Sequence, residues 1–251
     1  SGVIALFGLL YGGFRATMIN LVAGQEAITY ALEHSEARFA FVHDQAEALL
    51  QTSAQKIKKL YLDDSQTASL HDVSTTDHAL LMYTSGTTGR PKGVVHTHAS
   101  LLAGGWTPTL AHNLTEVDRG YCVLPIYHIN GLCVTVMGTL IAGGSLVMVP
   151  KFSASKFWNH IEETGATWFS VVPTIISHLL HGKATPGKHK LRFGRSASSA
   201  LAPKTQTLFE NRFKLPIIET MGLTETAAQM LSNPLPPGTR KIGSPGVAVG
   251  N

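Results

Sequence analysis

The chain has few charged residues, few cysteines and no long apolar run. Of its 251 residues, 14% are charged and 44% are hydrophobic, which excludes a disordered protein and fits an ordered globular one. No apolar run reaches the ~20 residues of a membrane span. The basic residues behind the net charge of +4 are scattered, so neither a nucleic-acid surface nor a membrane patch is indicated.

The two cysteines and the histidines indicate neither a disulfide nor a zinc site. Cys122 and Cys133 have apolar neighbours, which predicts buried free thiols and favours a reducing, cytoplasmic compartment. The apolar residues 1–10 have no basic segment before them, so they predict a helix of the folded protein and not a signal peptide. Pairs such as His96 with His98 lack cysteine or carboxylate partners at ligand spacing, which argues against zinc.

Short β-like runs alternate with helical stretches, and no internal repeat is present. Strands are predicted at 39–42, 80–84, 120–124, 145–149, 168–172, 192–196 and 217–220. Helices are predicted at 28–35, 99–111, 132–142, 153–163, 174–180 and 204–213. This alternation predicts an α/β fold with a mostly parallel sheet. The polar stretch 55–76 divides the chain into a first subdomain at 1–76 and a second at 77–251.

A loop rich in hydroxyls and glycines follows the apolar run 79–82. Residues 83–93 read YTSGTTGRPKG. Glycines let backbone N–H groups approach phosphate oxygens, hydroxyls donate hydrogen bonds, and a lysine supplies positive charge. The order Pro-Lys-Gly excludes the Walker loop, which ends in Gly-Lys-[Ser/Thr]. The segment predicts a polyphosphate-binding loop of Thr84, Ser85, Gly86, Thr87, Thr88, Gly89 and Lys92.

A second polar motif stands at the end of the predicted strand 217–220. Residues 218–226 read IETMGLTET. Ligands bind at the carboxyl ends of strands in open α/β sheets, where the Thr224 hydroxyl can bond a phosphate and the Glu225 carboxylate can hold Mg²⁺. Taken alone, the motif is also explained by a threonine cap followed by a glutamate in the first helical turn. Together with the glycine loop it favours a nucleotide site.

These two motifs resemble those of the adenylate-forming superfamily, which includes acyl-CoA synthetases, luciferases and peptide-synthetase adenylation domains. Residues 221–225 are similar to its aromatic-Gly-x-Thr-Glu motif, with a methionine whose thioether can pack against adenine. The resemblance implies catalytic roles for Lys92, Thr224 and Glu225, with Mg²⁺ on Glu225 and Thr84. It implies nucleotide binding by the loop from Thr84 to Gly89, by Lys92 and by Ser199, Glu219, Thr220, Met221, Gly222 and Thr224.

Three further segments resemble the acid pocket of acyl-CoA synthetases. Residues 125–131 are similar to a Pro-x-x-His segment, 171–174 to a Val-Pro-Thr segment, and 195–203 to a Ser-Gly-Gly-Ala-Pro loop in which serines here replace both glycines. The resemblance implies an acyl pocket of His128, Val172 and Ala200. Adenylation domains of peptide synthetases carry an aspartate in the first segment. No acidic residue occupies 126–131, so a simple carboxylic or fatty acid is expected as substrate.

The resemblance implies an ATP-dependent acid–thiol ligase that forms an acyl-adenylate and then a thioester with CoA. Two alternatives stay open: an adenylation domain that loads a carrier protein, and a non-catalytic nucleotide- or acyl-binding remnant. The expected partners are the acid, ATP and CoA. Self-association is expected as well, and nucleic acid is not.

The resemblance runs from about residue 12 to residue 250. It implies stacked, parallel-rich αβ subdomains of an N-terminal domain that is truncated at both ends. The C-terminal lid domain, with its catalytic lysine, is absent from these residues. The 251 residues alone are therefore expected to be inactive.

Overall fold

The computed structural model describes residues 2–43, 46–48, 56–61, 68–84 and 91–250. The chain divides into two compact units, at 1–99 and 100–251. The strands described at 78–84 and 92–97 lie in the first of these units. None of the helices within the described ranges has the length and apolar character needed to cross a membrane.

The described residues of the first unit include helices and two small sheets. The helices are α1 (Gly2–Tyr11) and α2 (Gln25–His34). The strands are β1 (Ala16–Thr17), β2 (Phe39–Phe41), β3 (Lys58–Leu60), β4 (His78–Thr84) and β5 (Lys92–Thr97). One sheet has the order β1-β4-β5, with β1 parallel and β5 antiparallel to β4, and β2 pairs with β3 in parallel.

The second unit is built on a seven-stranded sheet with the order β12-β11-β10-β9-β8-β6-β7. Its strands are β6 (Arg119–Cys122), β7 (Ser145–Met148), β8 (Trp168–Val171), β9 (Phe193–Ser196), β10 (Ile217–Leu223), β11 (Ala228–Ser232) and β12 (Val247–Ala248). The five strands from β10 to β7 are parallel, and β11 and β12 are added antiparallel.

Helices precede and connect the parallel strands of this sheet. They are α3 (His98–Ala111), a π-helix (Asn130–Met137) continued by α4 (Gly138–Ile141), α5 (Phe157–Thr164), α6 (Pro173–His181) and α7 (Pro203–Phe213). Pro173 and Pro203 each open a helix, where the fixed φ of proline is already helical and its missing N–H is not needed. α6 begins directly beyond the end of β8, and α7 begins after the loop that follows β9.

Aromatic side chains fill both faces of the large sheet. On one face Phe157, Trp158 and Phe169 pack with Phe209 and Phe213 in a cluster supplied by α5, α7 and β8. On the other face the Trp168 and Phe193 rings stack with centroids 5.7 Å apart. A sheet covered on both faces is what the continuous apolar strands predict.

The structure confirms the α/β fold and the predicted helices and strands to within a few residues. It differs in one detail at β7, because the apolar residues 146–149 are typical of a strand covered on both faces. β7 is an edge strand of the sheet, and its residues are half-buried or exposed. The cysteines are free and buried as predicted, and desolvation raises the pKa of both thiols to about 12.

Candidate functional site

The predicted site residues of the second unit follow the carboxyl ends of neighbouring parallel strands. His128 comes after β6, Val172 after β8 and Ala200 after β9. Thr224 and Glu225 come directly after β10. Because β6, β8, β9 and β10 are adjacent and parallel, their carboxyl ends lie along one edge of the sheet. That edge is where ligands bind in open α/β sheets.

The segment with His128 is held against the start of the π-helix. The Leu132 N–H donates to the His128 carbonyl at 3.0 Å. A Cβ on Gly131 would overlap the carbonyl oxygens of Leu124 and Pro125, so only glycine permits this approach. The His128 ring packs on the Tyr127 ring at 4.7 Å and is still partly accessible. Desolvation lowers the His128 pKa, so its imidazole is neutral at pH 7.

The loop after β9 has a backbone conformation that normally favours glycine. Ser198 has a φ of +73°, in the left-handed region. Its hydroxyl accepts a hydrogen bond from Asn130 Nδ2 at 3.3 Å, which links the loop to the π-helix. Ser199 and Ala200 follow in exposed positions. Ser198 therefore has the backbone conformation expected of a glycine at this position, and its side chain links the loop to the π-helix.

Of the four residues of β10 that are predicted to bind nucleotide, two are buried, one is half-buried and one is exposed. Glu219 and Thr220 are buried, and Glu219 Oε1 accepts a hydrogen bond from the Leu201 N–H at 2.9 Å. Glu219 thus holds the loop after β9 against β10. Met221 is exposed, and a Cβ on Gly222 would overlap the Ala228 carbonyl across a β-bulge.

Thr224 and Glu225 form a short 3₁₀ turn at the end of β10. The Thr226 hydroxyl donates to the Leu223 carbonyl and accepts from the Leu223 N–H, both at 3.1 Å, which closes the turn. Glu225 is exposed, and no described residue forms an ion pair with its carboxylate. The described ranges also contain no cluster of three or more His, Cys, Asp or Glu side chains that could hold a metal.

The glycine loop connects β4 and β5 of the first unit. Thr84 ends β4 and Lys92 begins β5, and the two are direct partners in the antiparallel register. Directly opposite residues place their side chains on one face of a sheet. The other face, at Tyr83, contacts His34 of α2 through a 2.9 Å hydrogen bond. Ser85, Gly86, Thr87, Thr88, Gly89 and Arg90 lie outside the described residues.

The second unit also contains a buried polar network that was not predicted from the sequence. Its members are His112, Asn130, Ser170, Arg195 and Gln229. Two of them, Asn130 and Arg195, belong to segments that the sequence analysis selected for other residues. The only sequence signal was an arginine inside an apolar strand, RFGRS at 192–196, which reads equally well as a surface position.

Relatives named as CoA ligases match two thirds or more of the chain. A sulfoacetate–CoA ligase of Cupriavidus necator is 43% identical over 260 residues, covering 96% of this chain and 50% of that protein. An oxalate–CoA ligase of Arabidopsis thaliana is 32% identical, covering 99% of this chain and 53% of that protein. An oxalate–CoA ligase of Saccharomyces cerevisiae is 40% identical over 68% of this chain. The chain spans about half the length of the first and second of these relatives.

Solved structures of related proteins also match almost the whole chain. ATP-bound MatB from Rhodopseudomonas palustris matches with a TM-score of 0.88 and 26% identity, over 99% of this chain and 52% of that one. An anthranilate CoA ligase in complex with anthranoyl-AMP matches with a TM-score of 0.89 and 25% identity, over 98% of this chain and 52% of that one. The family model of the AMP-binding enzymes matches residues 2–251. The chain therefore belongs to the AMP-binding enzyme family.

Proposed function

We propose that this protein activates a short carboxylic acid with ATP and transfers the acyl group to CoA. The observation that carries the proposal is the alignment of His128, Ala200, Thr224 and Glu225 along one carboxyl edge of the sheet, in a chain of the AMP-binding family. The relatives named above act on sulfoacetate and oxalate, which are both small acids. Their names also favour CoA over a carrier protein as the acceptor.

The reaction has two steps. A carboxylate oxygen of the acid attacks the α-phosphorus of ATP, the bond to the β-phosphate bridging oxygen breaks, and acyl-adenylate and pyrophosphate form. The CoA thiol then loses its proton and attacks the acyl carbon, and AMP leaves with the electrons of the acyl–oxygen bond. Fixed positions and positive charge close to the phosphates lower the barrier of the first step.

Each residue would have a role that fits its position. Lys92, Thr84 and the loop between them would bind the β- and γ-phosphates, and Thr224 would bond the α-phosphate. Met221 would pack against adenine beside Ser199. Neutral His128 would border the acid with Val172 and Ala200, and it would donate or accept a hydrogen bond without adding charge.

The exposed carboxylate of Glu225 fits Mg²⁺, which prefers oxygen ligands and usually combines one or two carboxylates with phosphate oxygens and water. Thr84 would add a hydroxyl ligand. When bound, the ion would neutralise part of the phosphate charge.

The test is acid-dependent exchange of pyrophosphate into ATP by the complete protein. Lys92→Ala and Glu225→Ala are expected to lower the exchange rate by at least about 100-fold, because each removes a charged contact to the phosphates or their metal ion. Lys58→Ala and Glu163→Ala alter exposed charges elsewhere in the same two units and should leave it unchanged. Absence of exchange with a broad panel of acids would contradict the proposal and favour a non-catalytic binding protein.

We also propose that the 251 residues alone cannot complete the reaction, because they span about half of the relatives' length. Purified residues 1–251 should form no acyl-CoA at an appreciable rate, measured by thioester absorbance. Formation at the rate of the complete protein would show that the described units are sufficient.

A further inference from the structure

A fully buried arginine lies one residue before the end of β9. Arg195 is 1% exposed. Its Nε donates to Gln229 Oε1 at 2.8 Å, and its Nη1 donates to Asn130 Oδ1 at 2.7 Å and to Ser170 Oγ at 2.9 Å. These three acceptors are all neutral. The two N–H groups on Nη2 make no hydrogen bond to any described residue.

Arg195 differs from other partly or fully buried arginines of the second unit. Arg192 pairs with Asp118 at 2.8 Å, and Arg240 pairs with Glu210 at 2.5 Å. No carboxylate in the described part of the chain pairs with Arg195. Burial lowers its pKa to about 9, so the guanidinium is still charged at pH 7. A buried charge without a counter-ion is costly, and proteins normally pair it.

The network reaches two of the segments that carry the proposed acid-site residues. Asn130 follows His128 by two residues, and its Nδ2 donates to Ser198, which precedes Ser199 and Ala200. Ser170 donates to Asn130 Oδ1 at 2.9 Å, so β8, β9 and the π-helix are joined at this point. The side chains of Asn130, Ser170 and Arg195 are buried between the strands and the π-helix.

We propose that Arg195 determines acid specificity: its free N–H groups bind the second anionic group of a short, doubly acidic substrate. The inference rests on the proposed function and adds the substrate class to it. A planar guanidinium with two free donors matches a carboxylate or a sulfonate, and its orientation is already fixed by Asn130, Ser170 and Gln229. Sulfoacetate and oxalate, the substrates of the relatives, each carry two acidic groups.

The experiment measures binding and exchange separately on the complete protein. Isothermal calorimetry compares malonate, oxalate and sulfoacetate with acetate and propionate, without ATP. The wild-type protein should bind the doubly acidic probes at least about 10-fold more tightly, since a hydrogen bond to a charged group contributes about 1.5–3 kcal/mol. Pyrophosphate exchange with the same acids should show the same preference in kcat/KM.

Arg195→Gln should remove this preference, raising KM for malonate and oxalate by about 10- to 100-fold and KM for acetate by much less. Arg195→Lys keeps the charge without the planar fork and should give an intermediate preference. Arg212→Gln changes an exposed arginine of the same unit that hydrogen-bonds the carbonyls of Leu180 and Gly182, and should leave the preference unchanged.

Two results would overturn the inference. One is that the wild-type protein binds acetate or propionate as tightly as malonate and oxalate. This measurement does not depend on the folding of any variant. The other is a folded Arg195→Gln protein that keeps the wild-type preference. If no acid supports exchange while calorimetry still shows preferred diacid binding, the proposed reaction fails and the assignment of Arg195 stands.

Discussion

At the scale of single residues, the second unit combines buried charge with a buried neutral histidine. His112 lies directly after α3 and its ring packs on Phe193 at 5.1 Å. Desolvation, and then the charge of Arg195, lower the His112 pKa to about 3. Gln229 Oε1 already accepts from Arg195 Nε, so His112 Nε2 must be the donor in its 3.2 Å contact with the same oxygen. The arginine therefore fixes both the amide orientation and the histidine tautomer.

The lowered His112 pKa predicts acid sensitivity. The His112 imidazole takes up a proton below about pH 6.5 in the unfolded chain, but only near pH 3 in the folded chain. The contribution of this residue to the stability of the folded state is therefore complete above about pH 6.5, and it is lost as the pH falls towards 3. The free energy of unfolding should fall by on the order of 2 kcal/mol between about pH 6.5 and about pH 5 from this residue alone.

Urea titrations at several pH values measure this slope. His112→Phe keeps an aromatic ring against Phe193 and should reduce the acid slope by about one proton. His178→Gln, at an exposed position of α6, is the control and should keep the wild-type slope. An unchanged slope in His112→Phe would mean that His112 is not the group that titrates.

Glu219 gives a second prediction at this scale. Its Oε1 accepts from the Leu201 N–H, and both groups are buried. Glu219→Leu should cost about 1–3 kcal/mol of unfolding free energy, because the Leu201 N–H is left without an acceptor. Glu219→Gln keeps an acceptor oxygen and should cost less. Equal losses in the two variants, measured by urea denaturation, would show that the hydrogen bond is not what Glu219 contributes.

At the scale of elements, the sequence was sufficient to predict a helix or a strand where local chemistry and periodicity agree. Pro173 and Pro203 mark the starts of α6 and α7, and the apolar runs mark β8 and β9. The two-residue strand β1 could not be predicted, because so short a segment becomes a strand only through its partner.

The site was predictable to a similar degree. Motif residues such as Thr224 and His128 were identified from the sequence, and the structure puts both at the carboxyl edge of the large sheet. The buried hydrogen-bond network of Arg195 was not predictable. It depends on Ser170 and Gln229, which are 25 and 34 residues away along the chain and meet it only in the folded sheet.

The β10–β11 connection gives a prediction about backbone fit. A Cβ at Gly222 would overlap the Ala228 carbonyl, which cannot move aside as a flexible side chain could. Gly222→Ala should therefore cost about 1–3 kcal/mol and displace the turn that carries Thr224 and Glu225. Gly8→Ala, where a Cβ meets no atom within 4 Å, should be neutral or stabilising in α1. Chemical denaturation of both variants tests the difference, and a neutral Gly222→Ala would contradict the predicted clash.

At the scale of the whole molecule, large apolar side chains are exposed on the first unit. Ile4 is 70% and Val22 81% exposed, and Phe14 and Leu21 are about half exposed. Phe14 and Leu21 also line a cavity of about 820 Å³ whose walls come from α1, α2 and β2. Exposed apolar surface of this kind usually contacts another chain segment or another molecule.

The exposed apolar side chains of the first unit predict that the 251-residue chain self-associates. Sedimentation velocity over about 1–100 μM should show a weight-average mass that rises with concentration, because association removes the apolar side chains from water. Leu21→Ser with Val22→Ser should lower that mass at each concentration. Leu208→Ser, at an exposed apolar position of the second unit, is the matched control and should not. A monomer throughout this range would mean that the exposed apolar side chains of the first unit are tolerated in water, and an equal effect of Leu208→Ser would mean that the association is not specific to that unit.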